Sequence, residues 1–224
     1  MKLTYMTHKN INQLVILLLI ILSLSACASM STMQTARTTD KNKFAYIIGL
    51  SVVKTDIPIS TIDTIKINAP VVDLGVRYGV TDKLDVGAKI SIIGTANVDA
   101  KYQFLGDKTS KIAGSIGLGG GYISLAINAS KIHLYDFMLP VYFSYHPINW
   151  ISLYCSPKYV FRITNNYNYL NQTTTNINSH WYGATGGIRI GKRVAFLAEY
   201  SYFGTSQLTE PFSQISGGIS IGFE

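Results

Sequence analysis

Apolar and polar residues alternate along most of this chain. The clearest stretch is Val71–Leu105, where three alternating segments are separated by two short reversals. Because successive side chains of a strand point to opposite faces, this alternation predicts a sheet with one apolar and one polar face. The pattern recurs as far as the C-terminal residues, so the region after the first forty or so residues is predicted to be all-β.

Ten alternating segments can be counted, although eight strands would also be compatible with the pattern. The segments are Phe44–Val53, Val71–Val80, Leu84–Ile92, Ala96–Leu105, Ile112–Ile123, His133–His146, Trp150–Arg162, Trp181–Ile190, Val194–Phe203 and Gln214–Phe223. Short turns alternate with longer connections, apart from a tight reversal at Ile93–Thr95. Short turns at one end and longer loops at the other are typical of up-and-down outer-membrane barrels, whose strands of about ten residues cross a bilayer at a tilt.

The apolar face separates a membrane barrel from a soluble one. No Asp, Glu, Lys or Arg falls on this face in the ten segments, and Tyr and Phe recur near the segment ends, as at the two interfaces of a membrane. A soluble barrel with its apolar face inside has the same alternation and is the alternative. The polar face is rich in Gly and Ser, however, and the apolar face has more large aromatic residues than so small a barrel could enclose. The sequence therefore favours the membrane barrel.

Two motifs resemble those of Gram-negative outer-membrane β-barrel proteins. The hairpin Tyr78–Gly87 (YGVTDKLDVG) resembles hairpins common in them, and Ile219–Glu224 (ISIGFE) resembles their C-terminal strand, except that the aromatic Phe223 is penultimate. The resemblance implies an antiparallel transmembrane barrel, small or porin-like, in the bacterial outer membrane. It also implies contact with outer-membrane lipid and recognition of the C-terminal strand by the barrel assembly machinery.

The N-terminal residues are typical of an export signal. The apolar run Leu14–Leu22 follows a segment with two lysines and is too short to span a membrane as a helix. Leu24–Cys27 (LSAC) resembles the lipobox of bacterial lipoproteins, which would make Cys27 the lipidated first residue. An ordinary cleavage site at Ala26–Ala28, without a lipid, is the alternative. The residues after Cys27 are rich in Ser and Thr and lack periodicity. The predicted division is a signal peptide at 1–26, a flexible tether at 27–43 and a β-barrel at 44–224.

The polar face carries five acidic and six basic residues, a nearly neutral set, as buried charges require. They are Asp73, Arg77, Asp85, Lys89, Asp99, Lys101, Asp136, Lys158, Arg162, Arg189 and Glu199. Neighbours in a sheet are close enough to interact when they are opposite or diagonal. Symmetric reversals would place Lys89 opposite Asp99 and diagonal to Asp73, Arg77 diagonal to Asp85, and Asp136 diagonal to Lys158 and Arg162. These pairs favour an interior closed by salt bridges, and the alternative is the charged constriction of a narrow channel.

Candidate catalytic residues are few. His133, His146 and His180 have no Ser and acid at a spacing that makes a triad credible, and Ser179–His180 is the best suggestion of a nucleophile and base. Cys155 falls on the apolar face and is predicted to be an inert packing residue. The sequence has neither a His/Cys cluster with metal spacing nor a phosphate-binding loop, so no metal or cofactor is predicted. The net charge of +7 is scattered, which excludes a nucleic-acid surface.

The polar segment 165–179 is predicted to be an exposed loop. Its Tyr, Asn, Ser and Thr residues make it a candidate for binding a surface ligand. Taken together, the sequence predicts a non-enzymatic outer-membrane barrel that acts in surface display, in envelope integrity or as a narrow pore. The alternatives are a lipid- or peptide-processing barrel enzyme and a soluble, lipid-anchored, ligand-binding barrel.

Overall fold

The computed structural model describes residues 29–58, 64–92, 94–127, 130–169, 172–205 and 211–222. These residues form ten strands: β1 Phe44–Pro58, β2 Thr64–Gly79, β3 Leu84–Ser91, β4 Thr95–Leu105, β5 Ile112–Ile127, β6 Ser130–Ile148, β7 Ile151–Asn168, β8 Thr173–Gly191, β9 Val194–Thr205 and β10 Phe212–Gly222. Each strand pairs antiparallel with its sequence neighbours, and β1 pairs with β10, so the sheet closes on itself. The predicted all-β, ten-stranded, up-and-down barrel is confirmed. In the described part of the chain, no helix is long and apolar enough to cross a membrane.

The apolar face of the sheet is the outer face of the barrel. In β9, for example, Phe196 is 64% exposed whereas its neighbour Leu197 is 4% exposed. Ile48 and Leu118 also lie on the outside, more than half exposed. The free thiol of Cys155 is on this face too. A surface of this kind is stable against hydrocarbon and not in water, so the soluble barrel with an apolar interior is wrong.

The two ends of the barrel differ. The connections at 80–83, 106–111, 149–150 and 192–193 lie at one end, together with the start of β1 and the end of β10. At the other end the long strands β5 to β8, of 16 to 19 residues, extend as hairpins beyond the roughly ten residues that cross a bilayer, and in barrels of this class the longer extensions face the outside. We call these the periplasmic end and the outer end.

The predicted loop at 165–179 is mostly strand. Strand β7 continues to Asn168 and β8 begins at Thr173, with Asn165 opposite Asn176 and Tyr167 opposite Thr174. Pairing satisfies the backbone of this polar stretch. An outward extension beyond the bilayer needs no apolar face, so the polar sequence that indicated a loop is equally compatible with a hairpin. The candidate ligand-binding loop is therefore corrected to the tip of a two-stranded extension.

The register corrects two of the predicted interior pairs. Lys89 lies opposite Asn97 and not opposite Asp99, because the reversal between β3 and β4 is one residue earlier than assumed. Asp136 lies directly opposite Arg162, because the β6–β7 pairs are centred on Asn149, one residue later than assumed. A one-residue change in the centre of a turn moves every pair along the strands by two residues, which sequence alone could not fix.

The described chain begins inside the barrel. Residues 29–39 are buried apart from Arg37, so the prediction of a flexible tether is corrected for this segment. The predicted signal peptide, the candidate lipidation residue Cys27 and the C-terminal Phe223 lie outside the described residues.

Candidate functional site

The interior of the barrel is occupied by the N-terminal segment Ser29–Asp40, which we call the plug. It belongs to no strand of the sheet. Met30 packs with Val53 and Phe212, near the outer ends of their strands, whereas Thr38 donates its hydroxyl to the carbonyl of Asp82 in a periplasmic turn, at 2.8 Å. The plug therefore runs along the lumen from the outer end to the periplasmic end, where the chain turns into β1.

An extended segment outside a sheet leaves its N–H and C=O groups without ladder partners, at a cost when they are buried. Lysines of the wall satisfy several plug carbonyls. Lys158 donates to the carbonyl of Met30 at 3.0 Å, and Lys89 donates to that of Ser31 at 2.8 Å. Lys101 donates to the carbonyls of two plug residues, Thr35 at 3.0 Å and Arg37 at 2.8 Å. The lysines that the sequence placed in a salt-bridge network thus bind a backbone.

Acidic and amide side chains of the wall accept from the plug N–H groups. Both carboxylate oxygens of Glu199 are used, one by Thr32 N–H at 3.0 Å and one by Met33 N–H. Successive N–H groups of an extended chain point in opposite directions, and the φ of +51° at Met33 supplies the bend that aims both at one carboxylate. Gln214 accepts from Met30 N–H and Asp85 from Thr39 N–H, each at 2.8 Å.

The side chains of the plug are small or flexible, and the wall is shaped to them. Ser29 and Ser31 both donate to Asp73. The thioether of Met33 lies over two glycines, since a Cβ on Gly49 would be 3.2 Å from its methyl carbon and one on Gly218 would be 3.3 Å from its sulfur. Gly49 and Gly218 therefore make room for Met33 of the plug.

The plug leaves the lumen beside Gly79. A Cβ at this residue would lie 2.1 Å from the carbonyl oxygen of Asp40, so no larger residue fits without moving the backbone. The next residues are fixed there by a hydrogen bond from Asn42 N–H to Gly79 O at 2.8 Å and one from Gly79 N–H to Lys43 O at 3.1 Å. Gly79 thus fixes where the chain passes from plug to wall.

Other interior charges pair within the wall. Arg77 lies between two carboxylates, 2.6 Å from Asp85 and 2.8 Å from Asp99. Arg162 forms a two-pronged pair with Asp136, with both contacts at 2.7 Å. These pairs include the predicted diagonal of Arg77 and Asp85, and they link strands of the wall to one another.

All eleven predicted interior residues lie on the lumen side, but they divide by partner. Lys89, Lys101, Lys158 and Glu199 bind the plug, and Asp73 and Asp85 contact both plug and wall. The plug itself was missed at the sequence level. One signal was present: Ser29–Thr39 contains only Arg37 as a charged residue and has two Met residues, a composition unusual for a solvated linker.

A cavity of about 430 Å³ lies at the periplasmic end beneath the plug. Among the described residues, its lining includes five cationic side chains and one carboxylate, and we call it the cationic vestibule. The residues are Arg37, Asp40, Lys108, Thr109, His146, Asn149, Ser152, Arg189, Lys192, Arg193 and Gly222. Lys108 pairs with Asp40 at 3.4 Å. Arg189 donates to the carbonyls of Gly191 at 3.0 Å and Lys192 at 2.7 Å, which fixes the turn that carries the last two cations.

The histidines make no catalytic triad with the predicted partners. Ser179 is buried and faces the lumen, whereas His180 is outside and bonds to the Tyr159 hydroxyl at 2.7 Å. The suggested nucleophile and base therefore lie on opposite faces of the sheet. His146 lies between two hydroxyls, Ser144 at 2.8 Å and Ser152 at 2.7 Å, an arrangement absent from the sequence-level candidates.

The barrel is closed, its outer face is apolar and its interior is polar. These features define the protein as an integral protein of the bacterial outer membrane. Residues 27–224 match the family described as the membrane-bound beta barrel domain (DUF5777), and the chain belongs to this family. The match includes the whole plug, so plug and barrel fall within one family domain.

Solved structures with a similar barrel include the Neisserial surface protein NspA, with 11% identity over 82% of this chain and 100% of that chain and a TM-score of 0.44. The outer membrane protease OmpT of Escherichia coli is 11% identical over 86% of this chain and 100% of that chain, with a TM-score of 0.48. Ail, the attachment invasion locus protein of Yersinia pestis, is 11% identical over 81% of this chain and 99% of that chain, with a TM-score of 0.36. Similarity at this level carries no argument about what this chain does. The comparison with curated proteins found no significant match.

Proposed function

We propose that this protein is a closed, non-enzymatic outer-membrane barrel whose own N-terminal segment fills the lumen. Its role is then exercised at its two ends, as a surface-exposed or envelope-stabilising protein, and not by conduction. The observation that carries the proposal is the set of hydrogen bonds from wall side chains to the plug backbone. Four groups alone, Lys89, Lys101, Lys158 and Glu199, contact plug residues from Met30 to Arg37.

Closure by the plug is supported by the burial of the wall charges that bind it. Lys101 is 1% exposed and Glu199 is 4% exposed. A buried charge without partners is unfavourable, so withdrawal of the plug from a dry lumen would cost several kcal/mol, and water would have to enter to solvate these groups. The plugged state is therefore the favoured one, and an open pore would need a separate trigger.

The absence of catalysis is supported by the separation of Ser179 from His180 across the sheet. Both ring nitrogens of His146 are engaged by serine hydroxyls, and Ser144 also accepts from the N–H of the plug residue Ala36 at 3.2 Å. This arrangement suits a structural histidine that helps to seat the plug.

The test is planar-bilayer conductance of the full-length, processed protein and of a variant lacking residues 29–39. Heat-modifiable migration in SDS gels, unboiled against boiled, establishes in parallel that each protein is a folded barrel. We expect no steady conductance from the natural chain and ohmic channels from the folded deletion variant. Steady conductance of the natural chain would overturn the proposal in favour of a pore. A folded deletion variant that stays closed would show that the wall alone closes the lumen.

A cross-link tests the position of the plug if the deletion variant does not fold. Ala36 of the plug packs against Ala113 of β5 inside the barrel. Ala36→Cys with Ala113→Cys should therefore form a disulfide under mild oxidation and remain non-conducting. Ala36→Cys alone is the matched control, because the native Cys155 is on the outer face and should not cross-link to it. Equal cross-linking in both variants would contradict an internal plug.

A further inference from the structure

The N-terminal end of the plug lies at the outer end of the barrel. Ser29 donates its hydroxyl to Asp73, and the other oxygen of this carboxylate accepts from Ser91, the last residue of β3. Met30 N–H donates to Gln214, which is two residues after the start of β10. The last residue of β3 and the first residues of β10 are both at the outer end. The plug therefore begins on the side of the membrane that faces the cell exterior.

The outer rim of the barrel is low at the β3–β4 hairpin, beside the N-terminal end of the plug. Strand β3 has 8 residues, whereas β5 to β8 have 16 to 19. The apolar outer face continues to the tip of this hairpin, where Ile90 and Ile92 are more than half exposed. On the long β7–β8 hairpin, by contrast, the outward positions beyond the bilayer include the polar pair Asn165 and Asn176. The β3–β4 tip thus ends at the level of the outer-leaflet lipid, and only this short hairpin stands between Ser29 and that lipid.

The candidate lipidation residue Cys27 is two residues before Ser29 in the sequence. Two residues span at most about 7 Å, far less than the thickness of a bilayer. Cys27 therefore cannot reach the periplasmic end, where Thr38 contacts Asp82. The family match at 27–224 also begins at this cysteine. A lipid attached to Cys27 is thereby restricted to the outer leaflet.

We propose that Cys27 carries a diacylglycerol thioether whose acyl chains enter the outer leaflet over the β3–β4 hairpin and anchor the N-terminal end of the plug. The modification is made by a transferase on the exported precursor. The Cys27 sulfur attacks the glycerol carbon of a diacyl phospholipid, a C–S bond forms and the C–O bond to the phosphate breaks. The thiol proton is released, and the headgroup leaves as a phosphate monoester.

The lipid has a different task from the barrel, which holds itself in the membrane by its apolar outer face. Movement of the plug toward the periplasm would draw the acyl chains out of hydrocarbon and into a polar lumen, which is unfavourable. The lipid therefore opposes withdrawal of the plug. The anchoring step rests on the closed lumen of the proposed function, whereas the placement of Cys27 at the cell surface does not.

The placement is tested with an epitope inserted between Ala28 and Ser29 of the full-length chain and detected by antibody on intact cells of a Gram-negative host. The matched control carries the same epitope between Asn149 and Trp150, in a periplasmic turn. We expect labelling of the first epitope on intact cells and of the second only after permeabilisation. Heat-modifiable migration establishes that both variants fold. Labelling of the first epitope only after permeabilisation would overturn the placement.

The modification is tested by metabolic labelling with radioactive palmitate. We expect label in the natural chain and in Cys155→Ser, and no label in Cys27→Ser. Cys155→Ser is the matched control because it removes the other of the two cysteines and keeps Cys27. An unlabelled natural chain would overturn the modification, and label in Cys27→Ser would overturn Cys27 as its site.

The anchoring step is measured by hydrogen exchange of the plug amides in nanodiscs. The lipidated natural chain is compared with Cys27→Ser behind an ordinary cleavable signal peptide, which is exported without a lipid. We expect residues 30–33 to exchange at least about tenfold faster without the lipid, because the acyl chains no longer restrain this end. Equal exchange in the two proteins would overturn the anchor. Failure of the proposed function is distinct from this result, since it is shown by steady conductance of the lipidated natural chain.

Discussion

Two groups of charges inside the same barrel are used in different ways. In the first group Arg77 of β2 is paired with Asp85 of β3 and with Asp99 of β4, and Arg162 of β7 with Asp136 of β6, so these wall residues bind other wall residues. In the second group Lys158 and Glu199 bind backbone atoms of the plug. Both groups lie on alternate positions of regular strands and cannot be told apart by pattern. The difference shows that a polar barrel interior can be a binding surface for the chain that fills it.

The two groups of charges differ because the wall and the plug have different unsatisfied backbone groups. Strands of a closed barrel satisfy their own backbone groups, so wall charges need only one another. The plug has no sheet partner, so its carbonyls need donors and its N–H groups need acceptors. Lysine, with three donors on a flexible stem, reaches two carbonyls at once, as Lys101 does. Loss of a plug-binding charge should therefore loosen the plug, and loss of a wall pair should weaken only the wall.

The largest effect is expected for Glu199→Ala. The change leaves two plug N–H groups and the Tyr154 hydroxyl, which donates to Glu199 at 2.7 Å, without their acceptor. We expect a loss of about 3–5 kcal/mol in the free energy of unfolding, measured by urea titration in lipid or detergent, together with channel openings in planar bilayers. Glu199→Gln keeps one acceptor oxygen and should lose less. An unchanged conductance in Glu199→Ala would mean that this carboxylate does not hold the plug.

An intermediate effect is expected for Asp136→Ala. This change breaks the pair with Arg162 but leaves the guanidinium near the Trp181 ring, 5.2 Å from its centroid. We expect a loss of about 1–3 kcal/mol in the free energy of unfolding and no conductance. The double variant with Arg162→Met removes the guanidinium that has lost this carboxylate and should recover part of the loss. If Asp136→Ala conducts as Glu199→Ala does, the distinction between the two groups of charges fails.

The smallest effect is expected for Gly49→Ala, where the nearest atom to the added methyl is the flexible end of Met33 at 3.2 Å and the next atoms are at ordinary contact distance. We expect a change within about 0.5 kcal/mol and a closed barrel. Gly218→Ala is the matched comparison beneath the same thioether, and its Cβ would lie 2.7 Å from the carbonyl oxygen of Ile48, which is backbone. It should cost about 1–3 kcal/mol. Equal and large losses in both would indicate that plug side chains, and not only its backbone, are held rigidly.

The sequence by itself determined the barrel. In β9, for example, apolar and polar residues alternate and the apolar side has no charge, so that this face lies against hydrocarbon. The antiparallel sheet must close, because an open edge in a membrane would leave backbone groups without hydrogen bonds. The same alternation placed all eleven charged residues on the interior face. The diagonal contact of Arg77 with Asp85 was also readable, because the intervening turn is short and its centre was assigned correctly.

Tertiary structure alone decided what those charges bind. The plug has neither alternation nor sheet pairing, and some of its contacts join residues more than 100 apart in sequence, such as Met30 with Lys158 and Thr32 with Glu199. The cationic vestibule likewise draws Arg37 and Arg193 together from opposite parts of the chain. The alternation within a strand shows which of its faces is polar. Only the closed barrel brings the plug, which is distant in sequence, against that polar face. The physical reason is that the hydrogen-bond partners of the plug lie on strands as separate as β2, β7 and β10, which only the closed barrel arranges around one lumen.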